Sequence, residues 1–213
     1  MATLSELDSK TLLVDHGLPV LPERSVPTAD EAMQAANALG YPCVMKLSGD
    51  HIAHKTERNL VRLSIGNADQ AFRAATELFG AARPDDGDVT VLVAPMVASS
   101  REFIVGAQRS PEFGPVVMVG IGGIFAEALE DVAFRMLPAT SSDFDAMLDD
   151  LRTEALLGEF RGEPAVDRGG LVAVIESVAS AMVARDDIVA IDVNPVLIRD
   201  GAPIAVDALV ELA

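Results

Sequence analysis

The sequence predicts an α+β fold, an α/β sandwich-like arrangement in two lobes, and three observations carry that reading. The chain has 213 residues, half of them hydrophobic, enough to bury a core as one two-lobed domain or two small ones. Helix-capping signals alternate with apolar, strand-like runs as far as Ala94, and the pattern begins anew at Glu102. The stretch Ile188 to Val206 then reads as a hairpin folded about Asp200-Gly201. Residues 20–94 are expected to form the smaller lobe, and residues 1–19 with 95–213 the larger one, which carries the hairpin.

The elements follow in order. Ser5 to His16 reads as a short amphipathic helix with Leu7, Thr11 and Val14 on its inner face and Gly17 as its stop. Thr28-Ala-Asp-Glu31 is a capping box for a helix that Gly40 closes. Cys43-Val44-Met45-Lys46 and Val61 to Ile65 are strands, and Asn67-Ala-Asp-Gln70 caps a helix ending at Gly80. Val89 to Val93 is a strand running into Ala94-Pro95. Beyond it, Glu102 to Ala107, Pro115 to Val119 and Asp131 to Leu137 read as strands, with a glycine turn at Gly120-Ile-Gly-Gly123. Ser141 to Leu151 and Gly169 to Ala184 read as helices, the second with Leu171, Val174, Ile175 and Val178 inward.

Charge and composition exclude several classes of function. A formal net charge of −17 repels nucleic acid and anionic membranes. The single cysteine, Cys43, cannot form an internal disulfide and suits a reducing compartment. The start MATLSELDSK lacks the basic and apolar regions of a signal peptide, and the apolar run Val116 to Leu129 is interrupted by glycines. A soluble, cytoplasmic, acidic protein is expected.

Chemistry-bearing residues concentrate between Tyr41 and Leu63. Lys46 sits in an apolar strand, where its charge must either meet an anion or snorkel from the strand end. His51, His54 and Lys55 occupy the connection that follows. Gly49 to Thr56 superficially matches a P-loop, but His54 replaces the second glycine and a strand, not a helix, comes next. Gly120 to Gly123 lacks the third glycine of a dinucleotide fingerprint, since Phe125 stands there. In the hairpin, residues equidistant from Asp200-Gly201 pair, so Asn194 and Asp207 should face each other with Asp192 on the same face. Spacing leaves two readings of that cluster: an oxygen-only site suited to Mg²⁺ shared with phosphates, or a polar hairpin end facing water.

Seven stretches together resemble one family. They are G-Y-P-C-V-M-K at 40–46, H-I-A-H-K-T at 51–56 and S-P-E-F-G-P-V-V-M-V-G-I-G-G-I-F at 110–125, then E-D-V-A-F-R at 130–135, F-R-G-E-P at 160–164, and D-V-N-P at 192–195 with V-D-A at 206–208. The chain resembles, over nearly all its length, the ATP-grasp (β) subunit or fused domain of NDP-forming acyl-CoA synthetases, typified by ADP-forming acetate–CoA ligase. It is more distantly similar to the β subunit of succinyl-CoA synthetase.

The resemblance implies an ATP-grasp fold of two lobes clamping a nucleotide with Mg²⁺. It implies that Lys46 contacts phosphates, that Val93, Ala94, Met96 and Val97 border adenine, and that Glu102 binds ribose. Gly122 and Gly123 are assigned to the close approach of backbone to nucleotide. Asn194 and Asp207 would hold Mg²⁺, and His54 with Lys55 would carry a phosphoryl group to and from ATP/ADP. The chain departs from the family at Ala94-Pro95, where relatives carry a polar pair, and at Asn59-Leu60, where they carry Gly-Gly. A CoA-binding Rossmann domain and a first phosphohistidine do not fit in this chain. A separate α-type subunit is therefore expected to supply them, together with the site for a small carboxylic acid. The alternatives are a nucleotide-binding regulatory subunit whose catalysis has decayed, and a free-standing ATP-grasp ligase that forms an acyl phosphate.

Overall fold

A computed structural model describes residues 2–49, 52, 58–123 and 129–213. The chain divides into two compact units. The smaller comprises Thr3–Leu7 and Leu21–Val97, the larger Met1–Ala2, Asp8–Val20 and Ala98–Ala213.

The smaller unit is a four-stranded antiparallel sheet backed by two helices. Its strands are β2 (Arg24–Val26), β3 (Cys43–Ser48), β4 (Val61–Ile65) and β5 (Thr90–Pro95), in the order β2-β5-β3-β4. Helix α2 (Ala29–Leu39) starts where the Thr28 hydroxyl accepts the Glu31 amide, and α3 (Ala68–Gly80) where Asn67 accepts the Gln70 amide. Both caps satisfy amides that the first turn leaves unpaired. Each helix turns alanines inward: Ala32, Ala35 and Ala36 from α2, and Ala71, Ala74 and Ala75 from α3. They close over Cys43, Met45, Leu47, Val91 and Val93. Small side chains at these positions let the helices approach the sheet closely.

The larger unit is built on a seven-stranded sheet. Its strands are β1 (Ala2–Thr3), β6 (Glu102–Ser110), β7 (Gly114–Ile121), β8 (Val132–Met136), β9 (Ile188–Arg199), β10 (Ala202–Ala205) and β11 (Leu209–Leu212). The order is β1-β11-β9-β6-β7-β8, with β10 also paired to β9. Helices α4 (Ser141–Asp149) and α5 (Arg168–Ala184) cover one face. Leu171, Val174, Ile175 and Val178 of α5 are fully buried, as their spacing predicts, and Phe103, Val105, Val117 and Val119 of the sheet are buried with them.

The first helix corrects the sequence reading. Helix α1 (Glu6–Val14) buries Glu6, Ser9, Lys10 and Leu13, whereas Val14 is 44% exposed and Thr11 lies on the surface. The helical spacing was right and the face was wrong. Hydropathy counts charged residues as outward, but here the Ser9 hydroxyl accepts the Val210 amide and the Glu6 carboxylate meets a lysine. Satisfied polar groups decide which side turns in. No helix among the described residues is long and apolar enough to cross a membrane.

Candidate functional site

Lys46 lies in the middle of its sheet, opposite Val61 of β4 and Leu92 of β5. Strand alternation sends Met45 and Leu47 into the core and Lys46 to the other face. Its Nζ donates to Glu6 Oε1 at 2.7 Å, with the lysine side chain 12% exposed and the glutamate side chain fully buried. Of the two readings of its position, the lysine meets an anion, and that anion is a carboxylate forty positions upstream. Glu6 is thus the residue that sequence reasoning missed. The Glu6–Lys10 spacing announces a helix but gives no hint that the helix delivers a carboxylate to β3.

Val93 and the residues after it form the end of β5. Val93 is fully buried in the core, between Arg24 of β2 and Met45 of β3, so any contact it makes with a ligand is through its backbone. Ala94, Met96 and Val97 are partly exposed. Pro95 offers no N–H, and the Met96 amide donates to the Pro42 carbonyl at 3.0 Å.

In the larger unit the structure brings Glu102, Gly122 and Gly123 together. The Gly122 amide donates to the Glu102 carbonyl at 2.7 Å. A Cβ on Gly122 would stand 3.1 Å from the Glu102 Cβ, and one on Gly123 3.5 Å from a Glu102 carboxylate oxygen. Gly123 also has φ +79, the left-handed region that favours glycine. The turn is therefore shaped around Glu102, whose carboxylate lies over exposed backbone.

The C-terminal hairpin has the expected register. Asp200 (φ +51) and Gly201 (φ +85) form its two-residue turn, and pairing runs from Ala202 with Arg199 to Ala205 with Val196. Beyond a gap the same register resumes, Leu209 with Asp192 and Val210 with Ile191. Asn194 and Asp207 fall in that gap, outside the paired positions, and Asn194 is exposed on the same strand face as Asp192. The Asp192 carboxyl is pushed up from the ordinary carboxylate range, first by desolvation and then by the Asp207 and Glu211 charges. Crowded carboxylates beside an amide oxygen fit a hard divalent cation, which would relieve that repulsion. Among the described residues no three His, Cys, Asp or Glu side chains form a self-sufficient metal site. The donor set therefore suits Mg²⁺, which keeps waters and shares substrate phosphates, and does not suit a caged structural ion.

His54 and Lys55 lie outside the described residues, as do His51 and Thr56. Residues in two other fragments that carry the family resemblance are tied into the backbone of the larger unit. The Asp131 carboxylate accepts the backbone amides of Arg152 and Thr153, and Arg101, 2% exposed, donates to the carbonyls of Leu156, Gly158 and Pro164 and to the Glu163 carboxylate.

A family model described as an ATP-grasp domain matches residues 1–212. The chain belongs to the ATP-grasp family. The fold described above is accordingly an ATP-grasp fold. The chain is 36% identical, over 97% of its own length and 90% of the relative's, to the β subunit of acetate–CoA ligase [ADP-forming] II from Pyrococcus furiosus. It superposes with a TM-score of 0.91 and 28% identity on a chain of the dinucleotide-forming acetyl-coenzyme A synthetase 1 of Ca. Korarchaeum cryptofilum in complex with coenzyme A, Ca-AMPCP and HgCl⁺, covering 100% of this chain and 94% of that one. A second structure of that synthetase holds coenzyme A and Mg-AMPPCP, with a phosphohistidine segment pointing towards the nucleotide-binding site. It matches with a TM-score of 0.85 and 29% identity, covering 100% of this chain and 93% of that one.

Proposed function

We propose that this chain is the nucleotide-handling subunit of an ADP-forming acid–CoA ligase, which couples ATP, a carboxylate and CoA to ADP, phosphate and acyl-CoA. The observation that carries this reading is the end-to-end match to a β subunit of that activity, at 36% identity over 97% of the chain. The chemistry of the described residues supports it. An ammonium held by a buried carboxylate at Lys46 offers a fixed charge for phosphates, and Glu102 over the Gly122-Gly123 backbone offers an acceptor for hydroxyls.

In this reading a ring nitrogen of His54 attacks the γ-phosphorus of ATP, the bond to the bridging oxygen breaks, and ADP departs. The reverse transfer regenerates ATP. Lys55 offsets charge on the transferred phosphoryl group. Asn194 and Asp207 would hold Mg²⁺, which would supply charge neutralisation on the phosphates. Val93, Ala94, Met96 and Val97 border the base. The acid and CoA are handled by an α-type partner subunit carrying the first phosphohistidine, and the enzyme works in the cytoplasm, a setting that a lone, buried Cys43 suits.

The test is incubation of the full chain with γ-labelled ATP and Mg²⁺, with and without the candidate partner, followed by acid. An acid-labile label that disappears in His54→Ala, with ligase activity lost in the reconstituted pair, is the expected result. Full ligase activity in His54→Ala would overturn the mechanism.

A further inference from the structure

Residues 50–57 carry His54 and Lys55, and the structure ties both flanks of that segment to one short turn. On the N-terminal flank, Gly49 backs directly onto the turn. A Cβ there would come 2.9 Å from the Asp86 carbonyl oxygen and 3.3 Å from that of Asp88. Ile52 follows, 5% exposed in the core, its amide bonded to the Gly49 carbonyl at 3.1 Å.

On the C-terminal flank, the Arg58 guanidinium grips the Asp86 carboxylate with two bonds, of 2.7 and 2.9 Å. Asn59 takes φ +55, its carbonyl held by Arg62 at 2.8 Å, and Leu60 is 1% exposed and accepts the Leu47 amide. Asp86 is itself fixed: its carboxylate accepts the Arg83 amide at 2.8 Å, and its own amide donates to the Arg83 carbonyl.

Asp86 therefore touches one flank with its backbone and the other with its side chain. We infer that Asp86, through Arg58, is a positioning residue that fixes the span across which the His54 and Lys55 segment is presented. This inference rests on the function proposed above.

Two observations separate this pair from ordinary stability scaffolding. Arg58 spends both terminal nitrogens on Asp86, and among the described residues its buried Nε has no hydrogen-bond partner, a poor arrangement if holding the fold were the whole purpose. A bidentate fork also fixes direction as well as distance, which a lysine could not do. The carboxyl of Asp86 is held down at about 2, chiefly by the bond from Arg58 and then by the Arg83 amide, so the clamp stays charged throughout the working range of the enzyme. Positioning matters at this scale because about 1 Å of misplacement at a reacting centre costs on the order of a hundred-fold in rate.

The experiment measures the rate of acid-labile labelling by γ-labelled ATP and Mg²⁺ in full-length Asp86→Asn, Arg58→Met and Arg58→Lys, beside nucleotide affinity by calorimetry. Asp86→Asn and Arg58→Met are expected to label about ten-fold or more slowly than the parent, with nucleotide affinity within about two-fold. Arg58→Lys, which keeps the charge but not the fork, should fall between them and the parent. Unchanged labelling, or an affinity that falls in step with labelling, would overturn the inference; so would Arg58→Lys labelling as slowly as Arg58→Met. Should Asp86→Asn not fold, the two Arg58 variants decide alone. If the parent takes no label, or His54→Ala still does, it is the phosphohistidine reading that fails, and the positioning role falls with it.

Discussion

The two units treat charge in opposite ways. In the smaller one Lys46 is largely buried and its ammonium meets the fully buried carboxylate of Glu6. In the larger one the Asp192 carboxyl is pushed up, first by desolvation and then by the charges of Asp207 and Glu211. A buried ion pair forms during folding and holds its ammonium in place. Neighbouring like charges raise the cost of ionising Asp192, and a bound cation would lower it. The comparison separates a charge that folding fixes from a charge that a cation would favour.

The contrast can be broken most forcefully at Lys46. Lys46→Met removes the ammonium from the buried Glu6 carboxylate, and a broken buried pair typically costs about 3–5 kcal/mol. Denaturant unfolding should show that loss with or without Mg²⁺. Lys46→Met combined with Glu6→Leu should recover most of the stability while nucleotide binding stays lost. A single variant as stable as the parent would mean that the pair is not a structural unit.

The acidic hairpin should behave differently. Asp207→Asn, which removes one of the charges that raise the Asp192 carboxyl, should bring that carboxyl closer to the ordinary carboxylate range. The same substitution should abolish most of the Mg²⁺ dependence of nucleotide binding measured by calorimetry. A parent-like Mg²⁺ titration in this variant would remove Asp207 from the metal site.

The smallest effect concerns acid. Asp86 is depressed to about 2, chiefly by its bond from Arg58, so it stabilises the fold above the ordinary carboxylate pKa near 4. That stabilisation is lost as pH falls towards 2. The parent should therefore lose stability over that window more steeply than Asp86→Asn, as a pH series of melting curves would show. Parallel curves would mean that Asp86 has no shifted pKa.

How much was legible follows from how local the cause is. Thr28 and Asn67 cap helices through bonds three residues away, and Asp200-Gly201 dictates the register of everything paired across it. Such signals are complete within a few positions. The lysine at 46 could be read as needing a partner, because a charge in an apolar strand is conspicuous. Its partner Glu6 could not, since nothing near either residue specifies the pairing. The same holds for Arg58 with Asp86, where the sequence shows only an arginine after a loop and a Pro-Asp-Gly-rich stretch. Short strands such as β2 and β11 also escaped notice, because strands of three or four residues form only where a longer neighbour offers an edge.

The Arg101 guanidinium has one more consequence. Residues 152–167 include only a single short 3₁₀ turn, and Glu159, Arg161 and Gly162 are exposed, which is the profile of a segment that proteases find. Yet one buried side chain holds three of its carbonyls and a carboxylate, and the Asp167 amide is bound to the Gly201 carbonyl. Cleavage requires about a dozen residues to leave their seat together, which this anchoring forbids in the folded state. The residue providing the anchor immediately precedes Glu102, so resistance to nicking along the connector reports, from a distance, whether the start of β6 is in place.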